Sequence, residues 1–407
     1  MAITPGSAAP RRPRAVVAGG SIGGLTAALL LRDIGFDVSV YERSRSQLAG
    51  RGAGIIAHEV TLRYLVDSGR RLDDLTIEGG LLRYVDETGG TVHEAPSNYR
   101  YTSWQALYRG LLELFDERRY HYGHALTAVR QDDQGVDVSL STGATERCDL
   151  LVCADGVSST ARSLLLPEVE PSYAGYVGWR GIIPGADVRQ GLLHELRFDI
   201  TYQLLRAGGH ILAYPIPTAD GHSDGGDIFL NWVWYRNVPR ERFRWLMADH
   251  EGTLHSLSLP APSVRADVLD ELNAAAETQL APALAELVLS TAQPFVQTIV
   301  DVEVPRQVLG RVCLLGDAAF VARPHAAAGT AKAAADAWAL AEALRKADSL
   351  DDGLARWETT QLALGRQLVA RTRTLGDGAQ FERSWRPGST DLLFGLWAPG
   401  DARFLPR

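Results

Sequence analysis

The chain has 407 residues, 46% hydrophobic and 22% charged, and its 41 basic against 49 acidic side chains give a formal charge of −8; this is globular composition and excludes disordered, collagen-like and low-complexity classes. At about 100–200 residues per domain the length predicts two or three lobes that fold without staples, and net acidity with no basic stripe argues against a nucleic-acid partner. Cys148, Cys153 and Cys313 are an odd count in a long chain and read as small buried residues of a reducing compartment, not a disulfide framework.

Along the chain, the Pro/Ala/Arg-rich first fourteen residues are expected to fray. They carry no apolar run behind their arginines, and the apolar stretch 25–31 is far shorter than the roughly 20 residues of a bilayer span, so a soluble, cytoplasmic protein without a membrane partner is expected. Residues 15–18 read as a buried parallel strand, 25–32 as a helix and 38–41 as a second strand, one βαβ unit in about thirty residues, and no long repeat is present. A middle region is rich in β-branched and aromatic residues at 173–183, 202–205, 210–216 and 228–235, broken by Gly, Pro and Asp clusters such as 220–227, and predicts an antiparallel sheet inserted in an α/β frame. Helical character returns at 267–289, a buried strand at 312–315, and helices at 333–346 and 353–374; the Gly/Pro-punctuated tail from 376 has no assignable pattern.

Between the first strand and helix stands Gly19-Gly20-Ser21-Ile22-Gly23-Gly24. In a dinucleotide fingerprint Gly19 would make the tight turn and Gly24 would allow close helix–strand packing. The helix N-terminus, at Ser21 and Ile22, would then offer N–H groups to a pyrophosphate. Ser21 stands where a second glycine is expected. Glu42 closes the next strand 23 residues after Gly19, where a carboxylate can grip a ribose diol, with Arg43 beside it as a further cofactor contact. The competing reading is a glycine turn of another α/β fold with a solvated glutamate; strand, turn, helix, strand and acid in order favour the dinucleotide.

Two more signatures follow: a strand-like run ending in Asp155-Gly156, with Ser159 and Arg162 just beyond, and a strand ending in Gly316-Asp317, followed by Arg323-Pro324-His325-Ala326-Ala327-Ala328-Gly329 and a helix. With all three motifs in order, the whole chain resembles the class A FAD-dependent aromatic hydroxylases. Its local wording is similar to the 2,6-dihydroxypyridine 3-hydroxylase group, which shares the serine-substituted fingerprint. The resemblance implies an α/β fold: a Rossmann-like FAD-binding domain of the para-hydroxybenzoate hydroxylase type, an inserted, mainly antiparallel β-sheet substrate domain, and C-terminal helices. FAD-binding segments are expected at 1–75, 101–170 and 271–346, substrate-domain strands at 76–100 and 171–270, and a helical region at 347–407. It also implies FAD as cofactor, NADH or NADPH as a transient electron donor, and oxygen transfer from a flavin C4a-hydroperoxide to an electron-rich ring such as a hydroxypyridine or phenol. Asp317 would bond the ribityl chain, Pro324 to Gly329 would line the flavin face with the Ala328 and Gly329 amides near its pyrimidine carbonyl, Asp155 and Arg162 would support the dinucleotide, and Gly52-Ala53-Gly54 would run against the isoalloxazine. Two departures stand out: Ser103-Trp104-Gln105 where the family often has an arginine, and Ala327 and Ala331 where it usually has Gly and Asn.

A base beside the ring oxygen would make the ring a better nucleophile. His325 is the first candidate, lying in the flavin-facing turn, against a structural imidazole at even odds. Alternation puts His210, Leu212 and Tyr214 on one strand face, where they would line the substrate or pack as core. Trp232 and Trp234 read as core, and His58 and Arg180 are weaker site candidates, read first as structural or solvated. No second nucleotide fingerprint and no metal-ligand spacing is present. Halogenation is set aside, because the only lysines are Lys332 and Lys346. A natural-product aromatic as substrate, a non-enzymatic FAD-binding protein and a homodimer stay open.

Overall fold

The computed structural model describes residues 11–48, 53–218, 228–399 and 401; residues 1–10 of the start that is expected to fray, Gly52 and the 220–227 turn cluster lie outside the described residues. Apolar runs buried at nearly every position suit strands covered on both faces. Among the described residues, Arg14–Ala18, Asp37–Glu42, Leu150–Cys153 and Val312–Leu314 form such a core of a six-stranded sheet, all pairing in parallel. Tyr120–Tyr122 joins one edge in parallel and Val308–Leu309 closes the other antiparallel. Strand alternation splits its side chains between two cores. Ala15, Val17 and Val40 face the fingerprint helix Ile22–Asp33 and the late helix Gly329–Lys346. Val16, Leu151 and Cys153 face the antiparallel strands Leu126–Asp132, Gly135–Leu140 and Thr145–Cys148. All three cysteines are buried and free.

The second sheet has nine strands among the described residues. Its centre is the antiparallel succession Phe295–Glu303, Ser172–Pro184, Ile228–Asn237, His210–Pro217 and Ile200–Leu204. A parallel pair between Ile200–Leu204 and Leu81–Val85 makes the sheet mixed at that side. Here too period-two alternation separates two faces. Trp179, Ile211, Ala213, Trp232, Trp234 and Val296 pack against the helices Ala266–Gln279 and Pro282–Leu289. Tyr176, Leu212, Tyr214, Val233, Tyr235 and Ile299 point the other way, toward the late helices and the tail.

Helix starts lie earlier than the apolar periodicity predicts: Ile22 rather than 25, Gly329 rather than 333, Leu350 rather than 353. Glycine-rich first turns hide the start signal. The expected helix 267–289 breaks at Leu280–Ala281, with Pro282 at the first position of the second helix, where its missing N–H costs nothing. Phe295–Glu303, expected inside a returning FAD-binding segment, is instead hydrogen-bonded to Ser172–Pro184, which corrects the 270/271 boundary. The unassigned tail folds back: Trp385 is buried, and its Nε1–H donates to the Leu375 carbonyl at 2.9 Å.

Candidate active site

The nucleotide end is built mainly from backbone. Gly19 has φ +100°, and a Cβ there would overlap the Ala154 carbonyl of the adjoining strand; a Cβ on Gly24 would overlap the Gly19 carbonyl. Ser21 caps the fingerprint helix without a side-chain bond, leaving first-turn N–H groups to a ligand. Glu42 is buried; Oε2 accepts the Gly20 N–H at 2.9 Å and Oε1 accepts the Ser44 N–H at 2.8 Å. It shapes the loop, and each carboxylate oxygen keeps a lone pair for a hydroxyl. A cavity of about 220 Å³ opens here, lined by Gly19, Ser21, Glu42, Arg43, Asp155 and Thr160 among others. Asp155 is largely committed to its own turn, accepting from Ser159 Oγ at 2.6 Å and the Ala161 N–H at 3.1 Å. Arg162, fully buried, donates to the carbonyls of Asp317 and Ala318 at 3.3 and 3.0 Å, tying this turn to the Gly-Asp turn.

A larger cavity of about 540 Å³ shares Ser21, Trp104, Ala154 and Gly156 with the first and runs on to the nine-stranded sheet. Asp317 projects into it and is exposed there, yet protein encloses the cleft, and this burial pushes the carboxyl up to about 6 against the pull of Lys332 and Arg162. Behind it, the buried pair Lys332–Asp336 (2.6 Å) anchors the turn, Asp336 also accepting the Gly316 N–H at 2.8 Å. Pro324, His325, Ala327, Ala328, Gly329 and Thr330 bring the N-terminus of an 18-residue helix to the same wall, a favourable place for negative charge. Ala327 holds φ +50° and ψ +31°, left-handed backbone for a residue with a Cβ. Its carbonyl accepts from His58 Nε2 at 2.9 Å, so His58 braces this turn. Gly54 donates to Asn231 Oδ1 at 2.8 Å, and a Cβ there would press on the Tyr214 ring.

FAD fits this arrangement: the carboxylate of Asp317 has no hydrogen-bond partner among the described residues, and the glycines leave room only for backbone and ligand. Asp317 would hold ribityl hydroxyls, Ser21 and Ile22 the pyrophosphate, and Ala328 and Gly329 the flavin's pyrimidine edge.

The far wall is made of side chains. His210, Leu212 and Tyr214 line it from one strand, with Val233 and Tyr235 from the next. His325 Nε2 lies 2.7 Å from Tyr176 Oη, while its Nδ1 is buried without a partner. His210 Nδ1 is likewise unpartnered, and the two rings are 5.3 Å apart. Burial pushes His210 down to about 3; burial first, then His210 and Arg323, hold His325 well below the usual imidazole range. Both are neutral at pH 7. Tyr176 packs beside Arg323 (5.7 Å), which donates to Asp301 at 2.9 Å and to the half-exposed Asp377 at 2.7 Å. Trp385 stands 4.6 Å from His210 and edge-on to His325 at 5.7 Å.

Arg180, a weaker candidate from sequence, lines the cleft with its Nε buried and unpartnered. Sequence reading missed Tyr176, Tyr235, Arg323, Trp385 and Phe394. Alternation on Ser172–Pro184 could have found Tyr176 and Arg180 opposite Trp179; nothing local marks the tail residues.

Fold and cleft together suit an FAD-dependent enzyme, and comparison places the chain in that class. FAD binding domain matches cover residues 13–195, and an FAD binding domain-like match covers 173–301. The chain belongs to the FAD-dependent aromatic monooxygenases. It is 39% identical over 389 residues to the 2,6-dihydroxypyridine 3-monooxygenase of Paenarthrobacter nicotinovorans, covering 95% of this chain and 96% of that one. The solved 2,6-dihydroxypyridine-3-hydroxylase from Arthrobacter nicotinovorans has a TM-score of 0.90 at 39% identity, covering 95% and 98%. The 6-hydroxynicotinate 3-monooxygenase of Pseudomonas fluorescens is 28% identical, covering 84% and 85%. Klebsiella pneumoniae HpxO complexed with FAD and uric acid shares the fold at TM-score 0.74 and 22% identity, covering 91% and 90%. FAD, with NAD(P)H as its reductant, supplies the oxygen-transfer chemistry. Among the described residues no helix is long and apolar enough to cross a membrane.

Proposed function

We propose that this chain hydroxylates a hydroxypyridine, with His325 as the base that takes the ring hydroxyl proton. One observation carries the reading: a neutral imidazole, hydrogen-bonded through Nε2 to Tyr176 and unpartnered at Nδ1, stands on the wall of the cleft that ends at the flavin-facing turn. With Nε2–H donating to Tyr176 Oη, Nδ1 carries the lone pair that accepts the proton. Tyr176, backed by Arg323 and Asp301, holds the ring in that orientation. His210 and Tyr214 bound the substrate beside it, and the aromatic wall of Tyr235, Trp385 and Phe394 keeps water out. In this reading the nine-stranded sheet is the substrate lobe and the six-stranded sheet the FAD lobe. Two named relatives act on pyridine rings, which supports the substrate class, and three reduced, buried cysteines suit the cytoplasm.

The test is NADH and NADPH consumption triggered by 2,6-dihydroxypyridine, 6-hydroxynicotinate, simple phenols and polycyclic phenols, followed by product mass. A hydroxypyridine should trigger turnover and gain one oxygen. Turnover only with polycyclic phenols would replace the substrate class by a natural-product aromatic, and turnover with none would remove the catalytic assignment.

A further inference from the structure

Strand register sets out the floor of the substrate region in rows. Arg180 lies opposite Phe295 on one side and Val233 on the other, and Val233 lies opposite Leu212, which in turn faces Tyr202. The neighbouring rows hold Gly178, Tyr235 and His210 on one side and Ile182, Asn231 and Tyr214 on the other. Cross-strand partners stand about 5 Å apart and diagonal ones about 7–8 Å. Gly178 and Val233 are small, so the guanidinium has room to lie across the floor between the Tyr235 and Tyr214 rows.

Arg180 is the one cationic side chain lining this cleft among the described residues, and Asp317, at the ribityl end, the one anionic side chain. No carboxylate or carbonyl partners Arg180 among the described residues, and its Nε is buried. Every other lining side chain around it is apolar, aromatic or neutral. A guanidinium offers five N–H donors in a fixed plane and is not deprotonated in proteins. Enclosing one without an acceptor is costly, and a bound anion of matching flat shape removes that cost.

Resting on the hydroxypyridine reading, we propose that Arg180 selects the ring as its mono-oxyanion, pairing with the ionised ring oxygen while a second hydroxyl keeps the proton that His325 takes, and thereby excluding neutral rings of the same size. A ring nitrogen acidifies neighbouring hydroxyls, so a dihydroxypyridine reaches this form at lower pH than a benzenediol. The pair also fixes which edge of the ring turns toward the sheet and which toward the flavin-facing helix.

The experiment titrates FAD-loaded protein anaerobically, without reductant, with 2,6-dihydroxypyridine and with its neutral isostere resorcinol, reading the perturbation of the flavin spectrum. Arg180→Gln should raise the Kd of dihydroxypyridine roughly 10- to 100-fold, the loss of a charged hydrogen bond, with resorcinol changed less than about threefold. Arg180→Lys, which keeps the charge, should recover part of the loss. Wild-type affinity for dihydroxypyridine should improve as pH rises through the ionisation of the ring, and this dependence should flatten in Arg180→Gln. Unchanged dihydroxypyridine affinity in Arg180→Gln, or an equal loss for both ligands, overturns the proposal. Loss of FAD from both variants would assign the guanidinium to the flavin and overturns it as well. Wild-type protein that binds no hydroxypyridine at any pH would instead remove the substrate class, and this inference with it.

Discussion

The two faces of the nine-stranded sheet come from the same strands and alternate residue by residue, yet they do opposite work. On the back face Trp179, Trp232 and Trp234 are fully buried against two helices, and Trp232 Nε1–H finds Thr291 Oγ1 at 2.8 Å. Among the described residues that face leaves only the Trp234 indole N–H and the Thr201 hydroxyl buried without a partner. Lining the cleft, His210 and Arg180 on the sheet and His325 on the turn across from it each carry a buried nitrogen without a partner. Native proteins leave few such groups, and three around one cleft make a surface waiting for a ligand. Stability is invested on one side of a sheet about one residue thick, and chemistry on the other. Substitutions on the two sides should therefore separate folding from turnover.

The largest effect is expected on the back face. Trp232→Ala should lower stability by about 3–5 kcal/mol, the usual range for emptying a buried aromatic site, read as a lower denaturation midpoint of FAD-loaded protein. The fraction that stays folded should keep kcat/KM within about threefold. A comparable loss of turnover in that folded fraction would mean the faces are not separable.

On the cleft face, His325→Gln should lower kcat about 100-fold, the low end for removing a general base, while the denaturation midpoint moves little. The amide can still meet Tyr176, so a large stability loss would recast His325 as scaffold. Acid should reveal the same face in FAD-free protein. The buried imidazoles bind protons more weakly when folded than the unfolded value near 6.5: His210 is pushed down to about 3, and His325 lies far below. The unfolded chain therefore binds more protons below about pH 6.5, so stability is full above that pH and falls beneath it. The slope is roughly 1.4 kcal/mol per pH unit for each such histidine. His210→Asn should flatten the fall measured by thermal denaturation between pH 6.5 and 5; an unchanged slope would remove His210 from the neutral pair.

How much of this was legible in the sequence follows the same division. The nucleotide end was readable because backbone does the work there. Gly19 and Gly24 are required by steric overlap, and the strand–helix–strand order around them is local. Strand alternation carried His210 and Tyr214 to a common face from seven residues of sequence. The rest of the cleft wall is assembled from distant segments: Arg180, Tyr235, Phe295, His325 and Trp385 meet only after the sheet pairs and the tail folds back. Pairing register and the tail's return are long-range, so the pairing of Phe295–Glu303 with Ser172–Pro184 and the place of Trp385 were not legible. Arg180 ranked low for a simple reason: an arginine in a strand reads as solvated unless the opposite face is known.

The smallest effect concerns the turn that leads from Pro324 into the helix starting at Gly329. Ala327 sits at φ +50°, one of two non-glycine residues in that region among the described residues. A Cβ in left-handed backbone costs about 1–2 kcal/mol, and glycine avoids that cost while giving up conformational entropy in the unfolded chain. Ala327→Gly should accordingly stabilise by a few tenths up to about 1 kcal/mol, seen as a small rise in the denaturation midpoint. The strain is held in place by the His58 Nε2 bond to the Ala327 carbonyl and by the helix that starts at Gly329. His58→Ala should therefore loosen FAD in the wild-type background more than in Ala327→Gly, because glycine keeps the turn without the brace. If FAD affinity falls equally in both backgrounds, the histidine contacts the cofactor site directly and does not act through the backbone of the turn.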